Sequence, residues 1–512
     1  MMPSRIAIIV VVTILIFLSV SILANSMAKP VGRDEQMYCT GAVCLSQGKM
    51  IYRDFSYAAQ MPYHPLLCAA LFKLFGTTHY LLVGRLLSTV CDILVMVCIV
   101  GMYRRLFKPF MATGMLLGLA AVALYVFNPL VDYANGYAWN HDVVIFCVVL
   151  SFWLFITLDF QKKLHYWRLA AIGALLTFAT FMRITTVLIE LLFFAVILSL
   201  PTKSIKRRFK TALPFVAASA IVMIWPIWVI AQAPEAFFLN LVKIPSFYGQ
   251  WLQEIGMVHN KVGLTFACLT TPGYFVLIAL TIYLWIAGLI LRRRLKVADN
   301  RGLWLVALLP VIFFMIALIP PTMWRQYLAI PVPFMVIGLA FPLSYLRRLS
   351  DKAKLNWHFK ITSITMAVGA LIAILSNPFV LYRTPLALVP EKWAPIELHK
   401  VSEDIAAKTK EPKQILTLAP LLALEGGCDI YTELSAGAII YRIADYLSPR
   451  ERQITHTAGP KNLPALTEQV APSAVILGVE MKRLESLILE VVVQSDWKKE
   501  EYENGPTVYF RP

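Results

Sequence analysis

Two groups of carboxylates in this sequence lie next to long apolar segments, where they could take part in proton transfer. Asp34 and Glu35 follow the first apolar segment within "VGRDEQMYC", and His141 and Asp142 precede another within "YANGYAWNHD". A carboxylate held close to a reacting hydroxyl can act as its general base. Simpler roles also fit, because Asp34 and Glu35 could be solvated or helix-terminal charges and Asp142 could cap a helix.

Two arginines lie at similar segment ends. The stretch "LAAIGALLTFATFM" before Arg183 is too short to cross a hydrocarbon core of roughly 30 Å at about 1.5 Å per residue. Arg183 should therefore lie below the membrane surface, which is costly unless it faces a wet cavity or an anion. An ion pair with Glu190 is the structural alternative. Arg325 in "PPTMWRQY" is either a second ligand for such an anion or an interfacial anchor beside Trp324 and Tyr327.

The composition predicts a protein with many membrane spans. Of the 512 residues, 59% are hydrophobic and 15% are charged, and the mean hydropathy is +0.68, whereas soluble domains carry roughly 25% charged residues. The net charge of +17 does not indicate a nucleic-acid partner, because the basic residues form short clusters between apolar segments. These clusters lie at 103–109, 161–168, 201–210, 291–301 and 345–354.

The basic clusters also predict the topology. If all five face the cytoplasm, an even number of spans separates each neighbouring pair, which gives about eleven helices with the amino terminus inside and the carboxyl terminus outside. The first apolar segment is longer than a signal-peptide core of roughly 7–15 residues, which favours an uncleaved anchor.

The predicted fold class is an all-α polytopic membrane domain over residues 1–382, with outer loops at 25–79 and 233–265. Residues 383–512 have ordinary soluble composition and predict a small extracytoplasmic α/β domain. Its expected helix is "PIELHKVSEDIAAKTK", and its expected strands are "QILTLAP", "SAVILGV" and "PTVYFRP".

Several other polar residues are expected to have structural roles. Arg85 and Asp92 are seven residues apart and should share one helix face, which predicts an internal ion pair. The scattered spacing of the eight cysteines gives no metal motif. Cys39 and Cys44 are expected to be small buried residues, with a disulfide as the alternative.

Carboxylates and arginines at one side of a membrane fit a transfer reaction from a lipid phosphate. An arginine would stabilise the negative charge that a departing phosphate gains in the transition state. A carboxylate in the first outer loop would accept the proton of the acceptor hydroxyl. The expected partners are a polyprenyl-phosphate sugar donor, membrane lipid and a glycan, lipid or protein acceptor.

The order of motifs resembles the GT-C superfamily of integral-membrane glycosyltransferases. Asp-Glu after the first span is followed by "LSQGKMIYRDF", "MPYHPLL", "LFKLFG" and "GRLLS", as in the protein O-mannosyltransferases and the lipid A aminoarabinose transferase. The later motifs "WNHD" and "LTFATFMRITT" are similar as well. The likeness is specific over 32–90, looser to about 345, and absent from the carboxyl-terminal part.

This resemblance implies a role for individual residues. Asp34 matches the family's catalytic base, Glu35 its acidic neighbour and Asp142 its second acidic position. Arg183 and Arg325 fall where the family places basic residues near the lipid phosphate. His64 lies at the family's His-Pro-Pro turn, here "HPL", so that its role toward the phosphate is weakly supported.

The resemblance does not settle metal use, cofactors or cell type. No cofactor is expected, although Asp34, His141 and Asp142 could supply ligands to a divalent cation. The expected location is a bacterial plasma membrane, with the endoplasmic reticulum as the alternative. A transporter or flippase of a lipid-linked sugar and a non-catalytic scaffold with this fold remain the rival functions.

The predicted topology can be tested with reporter fusions. A reporter that works only outside the cytoplasm should be active after Pro390 and silent within 203–210, since the carboxyl-terminal part should be external. The reverse pattern would overturn the topology and, with it, the outward placement of Asp34.

Overall fold

The computed structural model describes residues 4–108, 110–158, 165–199, 205–257, 260–295, 301–320, 322–350, 356–493, 496–503 and 505–512. Each of the five predicted basic clusters lies partly outside these residues.

Helices make up most of the described chain. In chain order they are α1 (Ser4–Ala28), α2 (Arg33–Ser46), α3 (Tyr63–Phe75), α4 (Tyr80–Leu106), α5 (Met111–Val126), α6 (Pro129–Ala134), α7 (His141–Ile156), α8 (Tyr166–Thr180), α9 (Val187–Leu198), α10 (Ile205–Gln232), α11 (Pro234–Phe238), α12 (Ile244–Glu254), α13 (Lys261–Leu269), α14 (Pro272–Leu295), α15 (Arg301–Leu318), α16 (Val332–Gly338), α17 (Ala340–Ser350), α18 (Asn356–Ser376), α19 (Phe379–Tyr382), α20 (Ala394–Lys408), α21 (Pro420–Leu424), α22 (Ala438–Tyr441), α23 (Pro449–Thr455), α24 (Leu463–Gln469) and α25 (Lys482–Val493).

Seven helical stretches of the described chain are long and apolar enough to cross a membrane. Other predicted spans coincide with shorter helices: α5 and α7 have 16 residues each, α8 has 15 and α9 has 12. A helix rises about 1.5 Å per residue, so each is shorter than a full hydrocarbon core of about 30 Å. The membrane class is confirmed, whereas the count of about eleven spans stays a prediction.

A five-stranded mixed sheet lies near the carboxyl terminus. Its strands are β1 (Gln414–Leu416), β2 (Asp429–Ile430), β3 (Ala474–Leu477), β4 (Lys498–Glu501) and β5 (Thr507–Phe510), in the order β2-β1-β3-β5-β4. β1 pairs in parallel with β2 and β3, and β5 is antiparallel to β3 and β4. The predicted helix at 395–410 and the three predicted strands match α20, β1, β3 and β5. The sequence pattern missed β2 and the charged edge strand β4.

The carboxyl-terminal part shares its core with α2 and α12. Tyr38 of α2 and Trp251 of α12 belong to the same buried cluster as Leu416 of β1 and Tyr441 of α22. Apolar burial of this kind is the main stabilising contribution in a fold. Residues 383–512 are therefore packed onto α2 and α12 along a continuous apolar contact. This contact fixes the position of the sheet relative to α2.

Polar contacts reinforce this packing. The backbone N–H of Leu81, in α4, donates to Glu425 Oε1 at 2.7 Å, and the N–H of Leu421 donates to Gln36 Oε1 at 3.0 Å. All eight cysteines are buried and free, so the alternative of a Cys39–Cys44 disulfide is not realised.

Candidate active site

A buried ion pair lies at the amino-terminal end of α2. Arg85 donates from Nε to Glu35 Oε1 at 2.9 Å and from Nη2 to Glu35 Oε2 at 2.8 Å. Both side chains are 0% exposed. Two parallel N–H···O bonds of this kind are the strong bidentate geometry of arginine and carboxylate.

The same two side chains bind three segments of backbone. Arg85 Nη1 donates to the carbonyls of Ser26 and Lys29 at 2.9 and 2.7 Å. The carboxylate of Glu35 accepts from the N–H groups of Gly32 and Ala138, each at 2.7 Å. Glu35 thus joins the end of α1, the start of α2, α4 and the loop before α7, and it has no exposed surface for a substrate.

This pairing corrects the sequence prediction for Arg85. Its partner is Glu35, not Asp92, which instead accepts hydrogen bonds from Tyr125 and, at 3.0 Å, from Asn135. Seven-residue spacing does place Arg85 and Asp92 on one face of α4, but a carboxylate from another helix satisfies the guanidinium.

Asp34 differs from its neighbour Glu35 in its burial and in its hydrogen-bond partners. It is the second residue of α2 and half-buried, and its carboxylate has no hydrogen-bond or ion-pair partner among the described residues. Burial raises the pKa of Asp34 above its ordinary 3.8, and the charges of Arg33, Arg442 and Arg183 partly oppose this effect. A desolvated carboxylate of this kind retains free lone pairs and increased basicity.

Arg183 lies in the extended backbone between α8 and a short 3₁₀ helix at Ile184–Thr186. Its Nη1 is buried without a hydrogen-bond partner in the described chain, and its guanidinium carbon lies 5.6 Å from the Tyr327 ring centroid. The alternative pairing with Glu190 is not formed, because Glu190 accepts from the hydroxyls of Thr177 and Thr180. Arg183 therefore offers unused donors on the side of Asp34.

A second group of charges reaches Asp34 from the carboxyl-terminal part. Arg33 and Arg442 both bind Glu480. Arg33 makes a bidentate contact through Nε and Nη2, and Arg442 Nη2 donates to Glu480 Oε2 at 3.1 Å. Arg442 is 9% exposed, its Nε has no partner in the described chain, and its guanidinium lies 4.9 Å from the Trp251 ring centroid. Arg442 was not predicted as a site residue, because it lies beyond the part of the chain that carries the resemblance.

Asp142 and His141 lie behind this group. Asp142 accepts from the N–H of Gly136 at 3.0 Å through Oδ2, while its Oδ1 is buried without a partner in the described chain. Asp142 does not cap α7, since its bond is to the preceding loop. Both ring nitrogens of His141 are buried and lack partners there as well. The charges that act on Asp142 are Asp92 and Lys29, not Asp34.

Neither His64 nor Arg325 forms a hydrogen bond or ion pair with Asp34 in the described chain. His64 is 1% exposed, packs edge-on against Tyr38 with centroids 4.9 Å apart, and burial lowers its pKa to about 3. It is neutral and cannot offer a charge to a phosphate. Arg325 is exposed and lines a separate groove of about 510 Å³ with Tyr133 and Leu264. Arg183 is not among the residues that line this groove.

A lysine missed by the sequence prediction supports the loop behind the site. Lys29 is 5% exposed, and its Nζ donates to the carbonyls of Asp132 and Asn135. A lysine at the outer end of a predicted span runs against the usual inward bias of basic residues. That signal, together with the acidic residue in "PLVDYANG", could have identified it.

The predicted metal ligands do not form a ligand set. Within the described ranges, no three or more His, Cys, Asp or Glu side chains are grouped so as to hold a metal ion. Asp34 is free, whereas Asp142 faces Gly136 and Lys29.

Comparison with known proteins finds likeness in structure but not in sequence. No family model matches the chain, and no curated protein sequence matches it. The crystal structure of ArnT from Cupriavidus metallidurans bound to undecaprenyl phosphate superposes with a TM-score of 0.62 and 12% identity, covering 98% of this chain and 97% of that one. Its apo form gives 0.61 and 14% over the same shares.

A further similar structure is the oligosaccharyltransferase of Archaeoglobus fulgidus tethered to an acceptor peptide. Its TM-score is 0.51 at 11% identity, covering 98% of this chain and 74% of that one. Another structure of that protein holds zinc and sulfate. ArnT, a lipid A aminoarabinose transferase, and this oligosaccharyltransferase both have the GT-C fold. The resemblance to the GT-C superfamily is thereby confirmed at the level of the fold.

The two adjacent carboxylates should differ in their effect on stability. Arg85→Leu leaves Glu35 buried and unpaired, so it should cost about 3–5 kcal/mol and lower the melting temperature strongly. Asp34→Asn should keep or raise the melting temperature at neutral pH. Because the pKa of Asp34 is raised, its ionised form destabilises the folded state above that pKa, and an amide removes this cost.

Thermal unfolding of the purified variants in detergent measures both effects. The double variant Arg85→Leu with Glu35→Gln is the matched control and should recover part of the loss, because it removes the unpaired charge. Wild-type stability of Arg85→Leu, or a large loss in Asp34→Asn, would contradict these assignments.

Proposed function

We propose that this protein is a glycosyltransferase that moves a sugar from a polyprenyl-phosphate donor to an acceptor hydroxyl at the outer face of the membrane. The observation that carries the proposal is the free carboxylate of Asp34 beside the unused guanidinium donors of Arg183. A base and a phosphate ligand side by side are what this reaction requires.

In the proposed reaction, the acceptor oxygen forms a bond to the anomeric carbon of the sugar. The bond from that carbon to the phosphate oxygen breaks, and the polyprenyl phosphate leaves with the electron pair. Asp34 takes the proton of the acceptor hydroxyl. The desolvation that raises the pKa of Asp34 increases its affinity for this proton, and the amino-terminal end of α2 favours the carboxylate before transfer.

Arg183 holds the phosphate of the donor in this proposal. Its extended backbone conformation and its unpaired Nη1 suit a bidentate contact with two phosphate oxygens. The leaving phosphate gains negative charge during the reaction, so the contact strengthens in the transition state. Structural likeness to ArnT, whose crystal structure contains undecaprenyl phosphate, supports a lipid phosphate as the ligand.

Arg325 has a different role in the proposal. The groove that it lines includes Leu264, Ala267 and Met323, and apolar walls with one arginine suit a lipid tail with an anionic head. We assign Arg325 to the entry of the donor lipid. His64, being neutral and buried, is assigned to the packing beneath Tyr38.

The remaining predicted residues position the catalytic group. Glu35 fixes the start of α2 through its bonds to Arg85 and two backbone N–H groups, and Asp142 fixes the loop at Gly136. Neither needs to touch the substrate. No step uses a metal or cofactor.

The proposed setting follows from the same arrangement. Residues 1–382 form the membrane transferase region, and residues 383–512 lie outside the cytoplasm and cover α2 with Arg442 and Glu480. The enzyme is placed in a bacterial plasma membrane, where the acceptor could be a glycan, a lipid or a protein.

Asp34→Asn should abolish transfer. A positioned general base contributes about 10²–10⁴-fold in rate, and an amide of the same shape cannot accept the proton. Cells that lack the protein should accumulate a polyprenyl-phosphate-linked sugar, measured by mass spectrometry of extracted lipids. Wild-type protein and Asp54→Asn, the matched carboxylate paired with Arg53 in the same outer loop, should clear the lipid, whereas Asp34→Asn should not.

Clearance by Asp34→Asn would remove Asp34 as the base, and no accumulation at all would favour the scaffold function. In a transfer assay with the accumulated lipid, activity should fall as the pH is lowered through the pKa of Asp34. The protonated acid cannot accept a proton, so the midpoint of this fall in activity should lie above the ordinary pKa of 3.8. Full activity at that pH would contradict the proposal.

Arg183→Ala should weaken the use of the donor. A charge-assisted hydrogen bond contributes about 1.5–3 kcal/mol, which corresponds to roughly 10- to 150-fold in kcat/KM. Lysine at this position should rescue poorly, because it lacks the bidentate fork. Arg53→Ala, which removes an exposed outer arginine, is the control and should leave kcat/KM unchanged. Full activity of Arg183→Ala would place the phosphate elsewhere.

A further inference from the structure

A groove lies between the amino-terminal end of α1 and the carboxyl-terminal end of α4, and it is remote from Asp34. Its volume is about 740 Å³, and its walls come from α1, α4, α5 and the end of α7. We refer to it as the far groove. It shares no lining residue with the groove at Arg325, and the proposed transfer reaction does not use it.

The far groove has a buried floor and an exposed apolar rim. Val11, Val100 and Met115 form the floor at 4%, 7% and 4% exposure, whereas Val12 and Val97 on the rim are 48% and 42% exposed. The recess is therefore a cavity between helices and differs from the plain lipid-facing surface of a helix.

Gly101 and Trp153 shape one wall of the far groove. A Cβ atom at this position would lie 2.5 Å from Cη2 of Trp153, so only glycine lets the indole approach the backbone of α4. Trp153 and Gly101 both line the far groove. The indole therefore packs directly against the backbone of α4 and forms one wall of an apolar slot within the groove.

One end of the far groove is strongly basic. Arg104, Arg105 and Lys108 line it, and none of its lining residues is acidic. The side chains of Arg104 and Lys108 donate no hydrogen bond to the described residues. Arg105 reaches the carbonyls of Ile156 and Thr157 only at 3.4 and 3.5 Å, beyond the usual range of about 2.7–3.2 Å. These donors are available to an anion.

The basic end lies one membrane thickness from the candidate active site. Arg85 and Arg104 belong to the same helix, α4, and the rise of about 1.5 Å per residue places them roughly 30 Å apart, which equals a hydrocarbon core. The far groove therefore opens into the leaflet opposite Asp34.

We propose that the far groove binds an anionic glycerophospholipid of that leaflet, with its phosphate between Arg104, Arg105 and Lys108 and one acyl chain in the slot beside Trp153. Charge complementarity supports this occupant, because basic pockets between transmembrane helices bind anionic head groups. An apolar slot joined to three cations that form no ion pair with the described residues fits an amphiphile with a phosphate, and the slot begins where such a head group would lie.

Native mass spectrometry of the full chain in detergent tests this proposal, with phosphatidylglycerol, phosphatidylcholine of the same acyl chains and undecaprenyl phosphate as probes. Phosphatidylglycerol should bind more tightly than phosphatidylcholine. The triple variant Arg104→Gln, Arg105→Gln, Lys108→Gln should lose about tenfold or more in affinity for phosphatidylglycerol, as expected for lost phosphate contacts.

Two matched controls separate a built site from general basicity. Lys206→Gln, Arg207→Gln, Arg208→Gln removes equal charge from α10, outside the far groove, and should leave the affinity unchanged. Val12→Trp fills the rim and should weaken binding, whereas Ile9→Trp, on an exposed face of α1 outside the lining, should not.

Several results would overturn the proposal. These are equal binding of the two phospholipids, undiminished binding by the triple variant, or an equal loss in the α10 control. Tighter binding of undecaprenyl phosphate that depends on Arg104, Arg105 and Lys108 would replace the glycerophospholipid with an isoprenoid lipid. None of these results bears on Asp34, so that the proposed transfer activity is tested separately.

Discussion

The buried pair of Glu35 and Arg85 is the interaction on which the geometry of the candidate site depends. It is completely shielded from water, so its charges are stable only while every contact around them is kept. Arg85 ties down the carbonyls at the end of α1, and Glu35 ties down the start of α2 and the loop at Ala138. Four separate stretches of chain are thereby held at fixed positions around one carboxylate–guanidinium contact.

The fixed position of Glu35 determines the environment of Asp34. Adjacent residues on a helix point in different directions, so the satisfied carboxylate faces α4 while the next one toward the amino terminus faces the arginines of other elements. Glu35 has all of its oxygens occupied, whereas Asp34 has none occupied. Partial burial without a partner is unfavourable for stability, and such cost is typical of groups that are retained for chemistry.

The sequence predicted local features better than long-range pairings. Apolar segments, α20 and three strands were found because periodicity and composition act over short stretches. The pairings of Arg85 with Glu35 and of Glu190 with Thr177 were not predicted, since they join helices whose packing the sequence does not reveal. The resemblance singled out Asp34 and Arg183, whose charge acts on Asp34, but it could not place Arg442, which lies in the carboxyl-terminal part beyond the resemblance. Motif order likewise grouped Arg325 with Arg183, although only Arg325 lines the groove beside Leu264.

The distribution of charge along α4 connects the two ends of the molecule. At one end Arg85 is neutralised by Glu35 and is enclosed by backbone carbonyls, whereas at the other end Arg104 and Lys108 are exposed and line an apolar recess. A buried charge needs a protein partner because no water reaches it, but an exposed charge at the membrane surface can use a lipid head group instead. The same helix thus holds the loop of the candidate site at one end through internal pairing, and its other end carries the basic residues of the proposed lipid site. Since α4 is a single helix with no internal proline or break, a lipid that anchors its basic end would also restrain the tilt of the helix that carries Arg85.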